Sequence, residues 1–173
     1  MAKAKHFLDN KSLHILFCSL VLPYLNYCTE VWGNTYKGSL EPLFILQKRA
    51  IRIIHNVGYR EHTNSLFVQS KITKLYDIVE FQTAQFLYKA RNNLLPSHLQ
   101  KMFHEREGGY DLRETLNFKI QRCRTTMKRF CITNNGVRLW NRLSVDLKQC
   151  PSINQFKNKY KQMIFTRYRE EGA

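Results

Sequence analysis

Apolar and polar positions along the chain succeed one another as a series of amphipathic helices. Over about residues 10–31, Leu13, Leu16, Phe17, Leu20, Tyr24, Tyr27 and Val31 recur at helical spacing behind a capping residue, Asp9 or Asn10. Pro23 lies inside that stretch and removes one backbone donor, which predicts a kink or a break, and Trp32-Gly33-Asn34 predicts the stop. A second helix is expected from a Ser39 cap to about His55. Glu41 and Pro42 suit its first turn, and Leu43, Leu46, Ala50, Ile53 and Val57 form one apolar face. After a turn at Gly58, Thr63 opens a short helix. Thr73 then stands where it would cap a long one over about residues 74–92. Leu75, Ile78, Val79, Phe81, Phe86, Leu87 and Tyr88 surround most of its circumference, which predicts a buried, central packing element. Leu94-Leu95-Pro96 ends it, and residues 97–103 add a turn or two.

Gly108-Gly109 marks the expected main boundary. Residues 110–132 lose the helical period and predict loop with one or two short strands, residues 129–133 being the best candidate. Asn134-Asn135-Gly136 reads as a turn, followed by a short helix around residues 137–141 and another turn near residues 144–147. Ser152, just after Pro151, caps a last helix with the stripe Ile153, Phe156, Tyr160, Met163 and Ile164. The expected fold is mainly α: a helical region over 1–107, then a small basic α+β extension over 108–173.

Charge sharpens this picture. The 173 residues suffice for one domain or two small subdomains with a real core. They carry 28 Lys and Arg against 13 Asp and Glu, a net charge of +15. Such an excess repels itself in a compact state, and a polyanion is its natural counterweight; a merely solvated basic surface or an organellar address are the alternatives. Residues 1–114 hold 15 basic and 10 acidic side chains, whereas residues 115–169 hold 13 basic ones and a single acid, Asp146. Phe118, Phe130, Trp140, Phe156, Tyr160, Phe165 and Tyr168 are interleaved with those cations, so the region reads as an ordered basic surface rather than a disordered tail.

The strongest candidates for phosphate contact are Lys119, Arg122, Arg124, Lys128, Arg129, Arg138 and Arg142. Arg122 and Arg124 flank Cys123, which in an extended segment puts both on one face. Lys48, Arg49 and Arg52 fall within an arc of roughly 100° on the second helix. Ile45 intrudes on that arc, which fits a solvated charged face as well as a phosphate-contacting one. Trp140, Phe156 and Tyr160 stand at helical spacing and read as core rather than as platforms for bases.

Nothing in the sequence forms an active site. The odd set Cys18, Cys28, Cys123, Cys131 and Cys150 has no C-x-x-C pair and suits no disulfide framework. The opening Met-Ala-Lys-Ala-Lys-His lacks an apolar segment, and no apolar run approaches ~20 residues. An intracellular protein of the nucleus or cytoplasm with reduced thiols, and no membrane partner, is expected. His6, His14, His55, His62, His98 and His104 are scattered without zinc-ligand spacing, so no metal or cofactor is expected. Tyr168-Arg169-Glu170-Glu171 superficially matches the Tyr-x-Asp-Asp of polymerases, but stands on a helix end rather than in a tight strand hairpin.

Several stretches together resemble the C-terminal part of reverse transcriptases from LINE-type (non-LTR) retrotransposons, of the jockey-like group. They are Leu22-Pro23-Tyr24-Leu25-Asn26-Tyr27-Cys28 leading to Val31-Trp32-Gly33; Leu46-Gln47-Lys48-Arg49-Ala50-Ile51-Arg52; Leu94-Leu95-Pro96; Gly136-Val137-Arg138-Leu139-Trp140-Asn141-Arg142-Leu143; and Ser152-Ile153-Asn154-Gln155-Phe156-Lys157. Their order and spacing extend across nearly the whole chain. The resemblance implies that the helical region corresponds to the thumb, which follows the catalytic palm and grips template and primer, and that a basic extension lies downstream. It implies contact with template RNA, RNA–DNA hybrid or DNA through Lys48, Arg49, Arg52 and the 119–142 cluster, and packing of the thumb helices on palm and fingers. The palm with its metal-binding aspartates and a terminal Cys/His knuckle have no counterpart in these residues, so the resemblance implies no polymerase activity for them. The rival expectation is a helical module that docks on a partner domain, or a domesticated relic without activity.

Overall fold

Asp9 starts the first long helix. Its carboxylate accepts a hydrogen bond from the Ser12 N–H at 3.2 Å, and its contacts with Ser12 hold its pKa below the usual carboxylate range. The computed structural model describes residues 1–105 and 116–171, so the Gly108-Gly109 boundary lies outside the described residues. A short 3-10 turn, Ala4–His6, precedes α1 (Asn10–Leu20), α2 (Leu22–Asn26) and α3 (Thr29–Trp32). The helix expected over 10–31 is thus broken twice. One break falls at Val21, immediately before the turn that Pro23 begins, where the missing proline N–H interrupts the ladder. The other falls near Cys28, whose φ of 48° is left-handed.

Next come α4 (Lys37–His55), α5 (Asn64–Ser70), α6 (Leu75–Arg91), α7 (Ser97–Gln100), α8 (Thr126–Phe130), α9 (Asn135–Arg142), α10 (Val145–Lys148) and α11 (Ile153–Glu170). Helix α4 begins two residues ahead of the expected Ser39 cap. Its inward stripe is Leu40, Gln47, Ile51 and Ile54 with half-buried Phe44, whereas Leu46, expected inside, is 58% exposed. The expected face of Leu43, Leu46, Ala50, Ile53 and Val57 is therefore offset by one residue, about 100° of rotation. Gln47 explains the offset: a polar residue sits at the centre of the buried stripe because its amide is fully used.

That use is the start of α6. The first N–H groups of a helix have no partner within it. Here Leu75 N–H donates to Gln47 Oε1 at 2.8 Å and Lys74 N–H donates to the Tyr168 hydroxyl at 3.0 Å. Gln47 Nε2 in turn donates to the Thr73 carbonyl at 2.9 Å. The cap comes from α4 and α11, not from the Thr73 side chain. Tyr168 donates its hydroxyl hydrogen to Asp77, which also pairs with Arg167, and the Lys74 ammonium lies 4.1 Å from the Tyr168 ring centroid. Burial, and then the Asp77 charge, push the Tyr168 phenol pKa well up from its ordinary value near 10.

The chain divides into two units. The first comprises Met1–Thr29, Thr35–Val79 and Lys161–Ala173; the second comprises Glu30–Asn34 and Glu80–Tyr160. Leu13, Phe17, Ile51, Ile54, Phe67, Leu75 and Ile78 form the core of the first. In the second, a run of ring contacts links Phe86, Phe103, Phe118, Trp140, Phe156 and Tyr88, with centroids 4.8 to 6.3 Å apart. The pervasive apolar character of α6 is realised, since only Glu80 and Lys89 along it are exposed. On α11 the buried stripe is Phe156, Tyr160, Ile164 and Tyr168, at strict i+4 spacing, with Met163 exposed. Ser152 does cap α11, its hydroxyl accepting from the Gln155 N–H at 3.3 Å.

Among the described residues there is no strand, only an isolated bridge between Glu105 and Phe118. Residues 129–133, expected as a strand, begin inside α8 and continue as turn. The Thr125 hydroxyl accepts from the Lys128 N–H and starts a helical turn, and among the described residues no strand offers 129–133 a ladder.

The Tyr168 node predicts an alkaline signature. A phenol whose pKa is raised on folding stabilises the fold fully below the unfolded value near 10, and that contribution is lost as pH rises beyond it. Tyr168→Phe is expected to cost about 1–3 kcal/mol at neutral pH, because it strips partners from buried groups. In urea unfolding of both chains from pH ~8 to ~11, the gap between wild type and variant is expected to narrow above pH ~10; a constant gap contradicts the account.

Candidate nucleic-acid interface

Two of the candidate cations, Arg138 and Arg142, stand on α9, and Arg122 and Arg124 lie on the segment bonded to it. Gly136, Val137 and Trp140 turn inward, and Trp140 is fully buried, so its ring is core and not a base platform. Close packing at Gly136 admits no side chain: a Cβ there would stand 2.9 Å from Ile132 Cγ1 and 3.0 Å from Leu87 Cδ2. With that face committed, Arg138 and Arg142, one turn apart, project outward and are exposed.

Residues 116–123 run beside α9 without forming a strand, and side chains of the helix supply the bonds that a neighbouring strand would have given. Trp140 Nε1 donates to the Leu116 carbonyl at 2.9 Å. Asn141 brackets Phe118, its Oδ1 accepting from the Phe118 N–H at 3.0 Å and its Nδ2 donating to the Phe118 carbonyl at 2.9 Å. Asn134, 1% exposed, donates to the Gln121 carbonyl at 2.8 Å and to Cys123 Sγ at 3.0 Å, while its Oδ1 accepts from Arg138 Nε at 2.9 Å. One buried amide therefore joins the segment bearing Arg122 and Arg124 to the helix bearing Arg138. Lys148, buried beside them, spends its ammonium on Asn117 Oδ1 at 2.9 Å and the Asn141 carbonyl at 3.2 Å.

This explains the exposure pattern. Gln121 and Cys123 are half-buried and Arg122 and Arg124 are exposed, the alternation expected of an extended segment with both arginines on one side. Lys119, Lys128 and Arg129 are exposed too, the last two on α8. None of Lys119, Arg122, Arg124, Lys128, Arg129, Arg138 and Arg142 forms an ion pair with a described carboxylate. Glu41, Asp77, Glu105 and Glu171 pair instead with Lys48, Arg167, Arg91 and Lys74.

Lys48, Arg49 and Arg52 belong to the first unit and are differently employed. Lys48 lies 4.0 Å from Glu41 and 4.4 Å from the Phe44 ring centroid. Arg52 Nε donates to the Glu61 carbonyl at 2.9 Å, and its guanidinium stands over Tyr59. Arg49 alone of the three is fully outward, and no hydrogen bond or ion pair holds it among the described residues. The α4 cations are thus mostly tied to their own helix and the following loop.

No motif in the sequence marks Asn134 and Asn141 as organising residues. Asn134 opened what looked like a turn, and Asn141 is an ordinary polar residue on a helix; the only cue was the density of asparagines around a tryptophan. The Tyr-x-Asp-Asp likeness dissolves in the structure: Tyr168 is buried in α11 against Asp77, and Glu171 pairs with Lys74. Among the described residues no three of His, Cys, Asp and Glu are grouped to hold a metal ion, and no helix is long and apolar enough to cross a membrane. Comparison with family models, with curated proteins and with solved structures finds no match to this chain.

Asn134→Ala removes the junction and leaves the Gln121 carbonyl short of a donor. A loss of roughly 1–3 kcal/mol in urea unfolding is expected. A loss below about 0.5 kcal/mol, within the range of an ordinary surface substitution, would show that Asn134 does not hold the segment.

Proposed function

We propose that the chain is a non-catalytic, thumb-like and downstream region of a LINE-type reverse transcriptase, which grips template RNA or RNA–DNA hybrid through its phosphates. The family label rests on the order of motifs from Leu22-Pro23-Tyr24 to Ser152-Ile153-Asn154. The binding role rests on one observation: seven cations over 119–142 stand exposed without a described carboxylate partner, and several of them are tied to one helix by Asn134 and Asn141. Displacement of counterions from a phosphate backbone supplies the affinity, and the contacts carry no sequence preference. The site needs no cofactor. The reading carries with it an intracellular setting, nucleus or cytoplasm, and reduced thiols.

A second reading has its own observation. Ile15, Leu20, Tyr24, Tyr27, Leu46 and Tyr59 of the first unit are large, apolar and exposed, which favours a structural helical module that packs on a palm domain.

The two readings part in one experiment. Binding of the whole chain to an RNA–DNA hybrid is followed against salt concentration, with Arg122, Arg124, Arg138 and Arg142 replaced together by alanine. At least a ten-fold loss of affinity is expected, with the slope of log K against log salt shallower by about one unit per phosphate contact removed. A control lacking Lys3, Lys37, Arg60 and Lys101 has the same net charge and is expected to lose much less. Equal losses in the two variants, or no salt-dependent binding by the wild type, leave the packing module as the better reading.

A further inference from the structure

A cavity of about 530 Å³ opens between α1, the end of α4 and the last turn of α5, lined by residues of the first unit alone. Its lining includes two lysines, Lys11 from α1 and Lys71 just after α5, beside His14, His55 and Ser70, with apolar walls that include Ile15 and Ile54. Among the described residues no carboxylate lines it. Neither Lys11 nor Lys71 spends its ammonium on an ion pair there. Two uncompensated cations in one cleft call for an anion.

Ser70 organises the remaining groups. Its carbonyl accepts from His14 Nε2 at 3.0 Å, which fixes the proton of that ring on Nε2. Its hydroxyl lies 2.6 Å from His55 Nε2. In the neutral imidazole with its proton on Nδ1, Nε2 is the acceptor and the Ser70 hydroxyl donates to it. Burial, and then the neighbouring His14, lower the His55 pKa and so favour the neutral ring. A dianion held by the two lysines favours uptake of one proton from solvent by His55. Nε2–H then donates to Ser70 Oγ, and the hydroxyl keeps its hydrogen and turns it to hydrogen-bond the anion. Besides His55 itself, the titratable groups that line this cleft are His14 and Lys11 from α1 and Lys71 just after α5.

We infer that this cavity is a site for a terminal phosphate monoester, held by Lys11 and Lys71 and by the Ser70 hydroxyl. A monoester carries close to two negative charges at neutral pH and matches the two ammoniums, whereas a phosphodiester link brings only one. The same chemistry is presented by a 5′-phosphorylated strand end and by a small free phosphate ester. The inference does not rest on the proposed function, because it uses none of the cations over 119–142.

The test uses the whole chain and reads the imidazole resonances of His14 and His55. Phenyl phosphate is expected to shift both saturably, and His55 towards its protonated form, while dimethyl phosphate leaves them in place. Lys11→Ala with Lys71→Ala is expected to weaken the response at least ten-fold, and Lys37→Ala with Lys101→Ala to leave it unchanged. A 5′-phosphorylated dinucleotide that binds more tightly than phenyl phosphate identifies a strand end as the ligand; equal binding identifies a small ester. The inference is overturned if dimethyl phosphate acts as well as phenyl phosphate, if both lysine pairs matter equally, or if no saturable shift occurs.

Discussion

A helix of 17 residues that is buried along most of its length cannot leave its first N–H groups without acceptors. At the start of α6 those acceptors come from far away in sequence: Gln47 Oε1 takes the Leu75 N–H and the Tyr168 hydroxyl takes the Lys74 N–H. The demand fixes much else in the first unit. It sets the rotation of α4, since Gln47 must face inward, and it pins the end of α11, since Tyr168 must reach Lys74. Asp77 then has to be retained inside to receive the Tyr168 hydrogen, and Arg167 to balance Asp77. Removing one member strands the others, so these side chains behave as a unit rather than as separate contacts.

The second unit uses the same physical device for a different end. Among the described residues the segment 116–123 has only the bridge of Phe118 to Glu105, with Lys119 N–H on the His104 carbonyl, and its other backbone groups still require bonds. Trp140, Asn141 and Asn134, all on or at the head of α9, provide them. The inward-facing positions of the segment are thereby fixed, and its arginines are left on the outer side. Cation display here is a by-product of backbone satisfaction. A segment held by five side-chain bonds presents its charges at small entropic cost, unlike a free basic tail that must be ordered on contact.

Features governed by local chemistry were legible in the sequence. Asp9 and Ser152 cap as their side chains dictate, α6 is buried nearly all round, and Pro23 brings a break. Features that depend on a tertiary partner were not. A glutamine in an apolar stripe reads as a reason to rotate the helix, and only the buried first N–H groups of α6 reveal why Gln47 points inward. The β-branched and aromatic run at 129–133 reads as a strand, but the Thr125 cap commits its first residues to a helix. The seven cations were visible as a cluster. That Asn134 joins two of their segments was not, because a buried asparagine at a helix start has the same local signature as a turn. His14, His55 and Ser70, which meet at one cavity, are too far apart in sequence to show any pattern.

The central claim is that phosphate backbone lies along the segment and helix joined by Asn134. Photo-crosslinking of the whole chain to an RNA–DNA hybrid, with the attached peptides mapped by mass spectrometry, tests it most directly. The account predicts crosslinks concentrated in residues 119–142. Crosslinks spread evenly over the basic peptides, or confined to those of α4, would contradict it.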